Sequence, residues 1–329
     1  MIRTTIIAEV GINHNGSYSE AKKYINVCKK INVDIVKFQI AIPESVVIKK
    51  AKKAKYQLSN SDDNQSQLEM IKKLHLSVSE YQKLIKYAKK NKIEIIFSAF
   101  DNKSLEIILK SKFIKIIKIP SGEITNLPYL QLISKSKKKV IISTGMSNLA
   151  EIENALKILA RNKVTILHCT TNYPTKYKEV NLKFMDTLKE KFNLPVGYSD
   201  HTLGFEVPLA AVARGAIIIE KHITFDQSQK GPDHKASMNI KDFAKMIELV
   251  RNVEISIGQN FKKLSKTESS NKLIVRKSIF AKKNIKKGEI LSWSNLCIKR
   301  PGNGISPMLI NKYIGKKSKF NYKIDEKIK

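Results

Sequence analysis

A closed (β/α)8 TIM barrel followed by a small β-rich segment is the fold that this chain predicts. Three observations carry the prediction. Eight short, β-branched apolar runs recur along the chain, patterns of helical spacing lie between them, and each run ends in a polar residue. Strand–helix alternation repeated eight times points to a barrel before any other α/β fold.

The eight runs are Ile6–Val10, Ile35–Gln39, Ile93–Ser98, Ile114–Ile119, Val140–Ser143, Val164–Cys169, Pro195–Tyr198 and Ala216–Glu220. They are continuously apolar rather than alternating, as in strands buried on both faces. Between them, Ala21, Tyr24, Ile25 and Cys28 fall at i, i+3, i+4, i+7. Tyr81, Leu84, Ile85 and Ala88 do the same behind a Ser77-x-x-Glu80 capping box. Ile152, Ala155, Leu156 and Leu159 form another such face, as do Phe243, Met246, Ile247 and Val250. Asn126 with Pro128 opens a further helix. The long polar gap from Ala41 to Leu76 reads as an elaborated loop over the barrel mouth.

The barrel pattern is expected to occupy residues 1–264, with a polar linker over 265–275. Short strand-like runs with Gly turns then fill 276–329, at Arg276–Ala281, Ile285–Ile290 and Leu296–Gly304. So short a segment is too small for a large core of its own.

Composition narrows the function. No apolar run is long enough for a membrane span. The N-terminus enters a strand at once, without a signal-type segment, so a cytoplasmic protein is expected. The formal net charge of +32 resembles that of a nucleic-acid binder, but only six of the 61 basic residues are arginine and the lysines are spread over every helix. Arginine forks and aromatic stacking platforms are missing. A basic nucleic-acid-binding protein is therefore the distant alternative, and no nucleic-acid partner is expected. Cys28, Cys169 and Cys297 are too far apart for a disulfide framework or a paired metal motif.

Strand C-termini of such a barrel converge on one mouth. There the chain offers Lys37 and Lys118 as fixed cations, and hydroxyls at Ser98, Ser121, Ser143 and Ser199. That set suits a phosphate or carboxylate. Glu9 and Glu123 could move protons or hold sugar hydroxyls. His201 and His222 follow adjacent strands and could share one divalent metal, with Glu220 and Asp233 near by. The competing reading of Lys37 and Lys118 is a structural ion pair with Glu9 or Glu123 inside the barrel.

In this order the motifs resemble the sialic acid synthase family, which includes the legionaminate synthases. The matching stretches are Ala8-Glu-Val-Gly-Ile-Asn-His-Asn-Gly16, Val36-Lys-Phe-Gln39, Lys118-Ile-Pro-Ser-Gly-Glu123, Ser143-Thr-Gly-Met146, Leu167-His-Cys-Thr170 with Tyr173-Pro174, Tyr198-Ser-Asp-His-Thr202, Glu220-Lys-His222, Gly231-Pro-Asp233 and Lys299-Arg-Pro-Gly-Asn-Gly304. The C-terminal segment resembles that family's antifreeze-like (SAF) domain. The resemblance implies condensation of phosphoenolpyruvate with an N-acetylated mannose-type sugar, with C–O cleavage of phosphoenolpyruvate. N-acetylmannosamine giving N-acetylneuraminate is the first expectation. A 2,4-diacetamido-2,4,6-trideoxymannose giving N,N'-diacetyllegionaminate is the alternative.

It also implies roles. His201 and His222 would hold Mn2+ or Mg2+. Lys37, Ser98, Lys118, Ser121, Ser143 and Ser199 would bind phosphoenolpyruvate. Gln39, Tyr173 and Asp233 would bind the sugar, with Glu9 and Glu123 as catalytic carboxylates. Arg300 would reach the sugar from the small domain of a partner subunit in a domain-swapped homodimer. The turn Ser98-Ala99-Phe100 is one residue shorter than the family's pattern, which leaves the phosphate hydroxyl there to Ser98.

Overall fold

The computed structural model describes residues 3–49, 51–53 and 66–329. It divides into two compact units, Met1–Gly258 and Gln259–Lys329.

The first unit is an eight-stranded parallel barrel. Its strands are β1 (Thr5–Gly11), β2 (Ile35–Ile40), β3 (Glu94–Ala99), β4 (Ile116–Ile119), β5 (Lys139–Ser143), β6 (Val164–His168), β7 (Val196–Asp200) and β8 (Ile218–Thr224). Neighbours in sequence are neighbours in the sheet, and β1 pairs with β8 to close the ring. The last two strands run further towards their C-termini than the apolar runs suggested, so His222 lies inside β8. Charged residues there end the apolar run without ending the strand, because Glu220 enters a polar layer of the barrel interior while Asp200 and Lys221 pair with each other on the outward side.

Side chains alternate across each strand, and the alternation builds two cores. Outward residues such as Val36, Phe38, Ile117, Ile119, Ile142 and Tyr198 pack against the helices in the larger cluster. Inward residues Ile7, Ile35, Ile96, Ile141, Leu167 and Ile218 form a separate cluster inside the ring. Each fully buried isoleucine contributes about 1.5–3 kcal/mol through removal from water. Gly197 is needed at this level, because a Cβ there would stand 2.6 Å from the carbonyl oxygen of Ile218 and 2.7 Å from Leu167.

Two residues further along the strands, the interior turns polar. Glu9 follows Ile7, Lys37 follows Ile35, Ser98 follows Ile96, Ser143 follows Ile141 and Glu220 follows Ile218. The register binds this layer together, with Glu9 opposite Lys37, Ser98 opposite Lys118 and Ser199 opposite Glu220. Among the described residues, the long gap after β2 holds the short helices Pro43–Val46 and Gln67–Leu74, while residues 50 and 54–65 of the expected elaborated loop lie outside them. A Ser66/Glu69 capping box opens the second helix.

In the second unit, β9 (Ser278–Ala281) pairs antiparallel with β10 (Leu296–Lys299). Ile285 and Ile290 make isolated bridges to Tyr322 and Lys317 in place of a full strand. Ile279, Leu291, Leu296 and Tyr322 belong to its own small core. The stretch expected as a linker carries the helix Lys266–Val275, opened by a Ser265/Glu268 capping box. Among the described residues, no helix is long and apolar enough to cross a membrane.

Candidate active site

The polar layer forms the floor of a cavity of about 320 Å³ at the C-terminal ends of the strands. Lys37 sits at its centre. Its Nζ lies 3.1 Å from Oε1 of Glu9, 3.4 Å from Oε1 of Glu220 and 3.2 Å from Oγ of Ser98. Burial alone would lower the Lys37 pKa, but Glu220 and Glu9 together outweigh it and hold the ammonium above its ordinary value. The structural ion pair weighed from sequence is therefore present, with Glu220 as a second acceptor. Lys118 donates to Ser143 at 2.6 Å and lies 3.6 Å from Glu220. Burial pulls its pKa down, and Glu220 only partly offsets that.

Glu220 thus holds both cations and also accepts from Ser199 at 3.0 Å. Burial acts to raise its pKa, yet Lys118 and Lys37 carry it below the ordinary carboxylate value. Glu9, which accepts from Gln39 at 3.1 Å, is raised by burial, with Lys37 opposing and Glu220 adding to the rise. Each carboxylate keeps one buried oxygen, Glu9 Oε2 and Glu220 Oε2, without a hydrogen-bond partner. The floor therefore holds two ammonium groups, hydroxyls with protons to donate, and unused acceptor capacity.

Ser121 accepts from the backbone N–H of Gly145 at 3.0 Å and touches Sγ of Cys169 at 3.3 Å. A Cβ at Gly145 would stand 2.2 Å from Thr171 Oγ1 and 2.9 Å from Ser121 Oγ. Glycine lets this loop close on the hydroxyl. Cys169, without a role in the sequence reading, lines the same cavity.

The histidines stand at the rim. Asp200 and Lys221, one residue ahead of each, are paired in the β7–β8 register and form a buried ion pair. Lys221 also donates to the carbonyl of Thr202 at 2.6 Å, and Asp200 accepts from the Thr202 hydroxyl. This outward pair fixes the two strand ends against each other. Inward, the rings of His201 and His222 are 5.8 Å apart, and Tyr173 lies 4.2 Å from the first and 5.7 Å from the second.

These two rings suit a divalent ion. Nδ1 of His201 lies 2.7 Å from the carbonyl of Thr170, which can only accept, so Nδ1 carries the proton and Nε2 keeps its lone pair. Burial lowers the pKa of His201 and carries that of His222 well down, which keeps both rings neutral. Nδ1 of His222 is buried and unpartnered. Among the described residues no cluster of three metal-ligating side chains forms, so the donor set is two nitrogens, with other positions left to oxygen ligands.

Asp233 lines the cavity too, and its pKa is pushed up to about 7, by burial first and by Glu9 second. One expected residue of this unit stands apart. Glu123 is absent from the lining; the turn after β4 directs its carboxylate to Nδ2 of Asn126, at 2.6 Å. Arg300 belongs to the second unit, where it is exposed just beyond β10. The sequence reading also missed a wall of the cavity. Gln67, Met70, Ile71, Leu74 and His75 line it, at helical spacing that was present in the sequence.

Comparison with known proteins agrees with this architecture. The model of the NeuB family matches residues 24–262, and that of the SAF domain matches residues 276–326. The N,N'-diacetyllegionaminic acid synthase of Campylobacter jejuni is 49% identical, covering 100% of both chains. The enzyme of the same name from Legionella pneumophila is 42% identical over 96% of this chain and 90% of its own. Human N-acetylneuraminate-9-phosphate synthase is 32% identical over 95% of this chain and 88% of its own. Among solved structures, the N-acetylneuraminic acid synthetase of Leptospira borgpetersenii, crystallised with citrate, superposes with a TM-score of 0.71 at 30% identity, covering 82% of this chain and 90% of that one. A catalytic barrel with paired lysines and carboxylates in its mouth, matched over most of its length, places the chain in the NeuB family.

Proposed function

We propose that this chain is a phosphoenolpyruvate-dependent nonulosonic acid synthase that condenses phosphoenolpyruvate with 2,4-diacetamido-2,4,6-trideoxymannose, giving N,N'-diacetyllegionaminate and phosphate. The observation that carries the reading is the floor itself, two ammonium groups fixed by one carboxylate beneath a histidine pair. The choice of sugar is supported by the 49% and 42% identity to legionaminic acid synthases, against 32% for the neuraminate-type enzyme. N-acetylmannosamine therefore becomes the second choice.

In this scheme Lys37 and Lys118 neutralise the phosphate and carboxylate of phosphoenolpyruvate, and Ser98, Ser121 and Ser143 donate hydrogen bonds to the same anion, joined by Ser199 when its hydroxyl turns from Glu220 to the ligand. The enol carbon of phosphoenolpyruvate bonds to the aldehyde carbon of the open-chain sugar. Asp233, with its pKa near neutrality, gives its proton to the aldehyde oxygen. Glu9 takes a proton from the water that adds to C2, and the C2–O bond breaks to release phosphate. His201 and His222 would hold Mn2+ or Mg2+, which supplies Lewis-acid polarisation of the aldehyde. Gln39 and Tyr173 orient the sugar. The proposal includes a domain-swapped homodimer in which Arg300 of the partner subunit meets an acetamido carbonyl of the sugar.

Phosphate release and product mass, measured with phosphoenolpyruvate, Mn2+ and each sugar, test the reading. The trideoxy sugar is expected to exceed N-acetylmannosamine at least about tenfold in kcat/KM. Phosphoenolpyruvate labelled with 18O at the bridging position is expected to pass its label to phosphate. No turnover with either sugar, or label retained in the sugar acid, rejects it.

A further inference from the structure

We infer that the helix Gln67–Leu74 selects the sugar at its sixth carbon, by presenting an apolar wall that accepts a methyl group and disfavours a hydroxymethyl or phosphorylated one. The inference rests on the function proposed above and specifies which element chooses the substrate.

The cavity has two unlike sides. The strand ends supply charge and hydroxyls, as described. The helix presents one face, at i, i+3, i+4, i+7 and i+8, and between its polar ends, Gln67 and His75, that face is Met70, Ile71 and Leu74. Met70 and Leu74 are buried against Ile12, which follows β1, and Ile71 packs on the same cluster half-buried. The wall is held in place. Lys72 ties the helix to Glu44 at 2.7 Å, and the Tyr81 hydroxyl donates to the carbonyl of Gln39 at 2.7 Å while accepting from the backbone N–H of Leu76.

An apolar wall gives nothing to a polyhydroxylated or anionic group. In the trideoxy sugar, every ring substituent except the C6 methyl carries a polar atom that needs a partner. The C6 methyl is the one wholly apolar substituent, and it gains from contact with Met70, Ile71 and Leu74 without leaving a polar atom unpaired. A hydroxyl at C6 would lose its water against these three side chains without a replacement, and a phosphate would meet the same apolar surface, since Lys72 and Lys73 of this helix are exposed and Lys72 is engaged by Glu44. Discrimination by an apolar surface against one added hydroxyl is worth about 10–100-fold.

The test compares two diacetamido sugars that differ only at C6, the 6-deoxy compound and its 6-hydroxy counterpart, as a ratio of kcat/KM. A ratio cancels differences in the active fraction of enzyme. The wild-type ratio is expected to favour the deoxy sugar about 10–100-fold. It should fall to about threefold or less in Ile71→Thr and in Met70→Gln, and persist in Ile71→Val. Ile71 is only half-buried, so its variant covers the case in which Met70→Gln fails to fold. A wild-type ratio near one, or a ratio unmoved by the variants while the deoxy sugar is turned over, overturns the inference. If the deoxy sugar is no substrate at all while N-acetylmannosamine is, the proposed function itself fails and the inference falls with it.

Discussion

Asp200 and Lys221 form an ion pair buried between β7 and β8, each immediately ahead of a cavity histidine. Removing one partner leaves an uncompensated buried charge, at a cost of about 3–5 kcal/mol. Lys221→Met is therefore expected to destabilise by that amount in urea titrations. It should also weaken Mn2+ binding, read by calorimetry, about 10–100-fold, as loss of a ligand's supporting contacts does. The double variant Asp200→Asn/Lys221→Met should recover most of the stability. Calorimetry showing unaltered Mn2+ affinity in a folded Lys221→Met protein would separate the pair from the histidines.

The two floor lysines should respond differently to removal. Lys37 lies within 3.4 Å of both Glu9 and Glu220, whereas Lys118 reaches only Glu220, at 3.6 Å. Lys37→Met strands Glu9 and takes from Glu220 one of its two cations, and should cost about 3–5 kcal/mol of stability. Lys118→Met should cost less and show itself chiefly as a higher KM for phosphoenolpyruvate. Equal losses of stability in the two variants would contradict the asymmetry.

Asp233 sets an expectation for pH. With its pKa raised from 3.8 to about 7, its protonated form thins out as pH rises through neutrality. If it is the acid of the reaction, kcat should fall above about pH 7, and Asp233→Asn should abolish that limb while lowering the rate about 10²–10⁴-fold. The stability sign follows from the same shift. The folded state binds the proton more tightly than the unfolded chain, so the contribution is full below pH 3.8 and is lost as pH rises through about 7. Asp233→Asn should thus be more stable than the parent at pH 8, and a less stable variant there would count against the assignment.

His14 works in the opposite direction. It is fully buried, neither ring nitrogen has a hydrogen-bond partner, and burial, with His75 second, lowers its pKa from 6.5 to about 3. His75 is lowered to about 4, again mainly by burial. The unfolded chain binds these protons first, so stability is full above pH 6.5 and drains away as pH falls towards 3–4. Each histidine should contribute a slope of up to about 1.4 kcal/mol per pH unit in that window. Urea titrations from pH 7 to 5 on His14→Leu should show a visibly shallower slope than the parent.

Much of this was legible in the sequence because a parallel barrel brings every strand end to one rim. Glu9, Lys37, Ser98, Lys118, Ser143 and Ser199 could be placed together from their positions at the ends of apolar runs alone. Strand ends were harder to read where charge sits inside the ring, as at Glu220, whose run looks finished four residues before the strand is. Lys221 escaped notice because its partner, Asp200, lies on the neighbouring strand at a register that only pairing defines. Glu123 stands beyond the end of β4, where the 3-10 turn over Ser121–Glu123 sets its carboxylate against Asn126, a contact that strand position alone does not reveal. The helix Gln67–Leu74 was hidden by the polar residues around it, although its Ser-x-x-Glu opening is the same signal that revealed the helix after Ser77.

The alternation of inward and outward residues also limits how such a chain can drift. Val36 and Phe38 bracket Lys37, and Ile117 and Ile119 bracket Lys118, so chemistry and packing share every strand in a two-beat metre. Deleting one residue ahead of Lys37 would swing the ammonium out among the helices and drop an apolar side chain onto the substrate anion. A single-residue insertion or deletion in one of these strands would therefore cost the core and the site together.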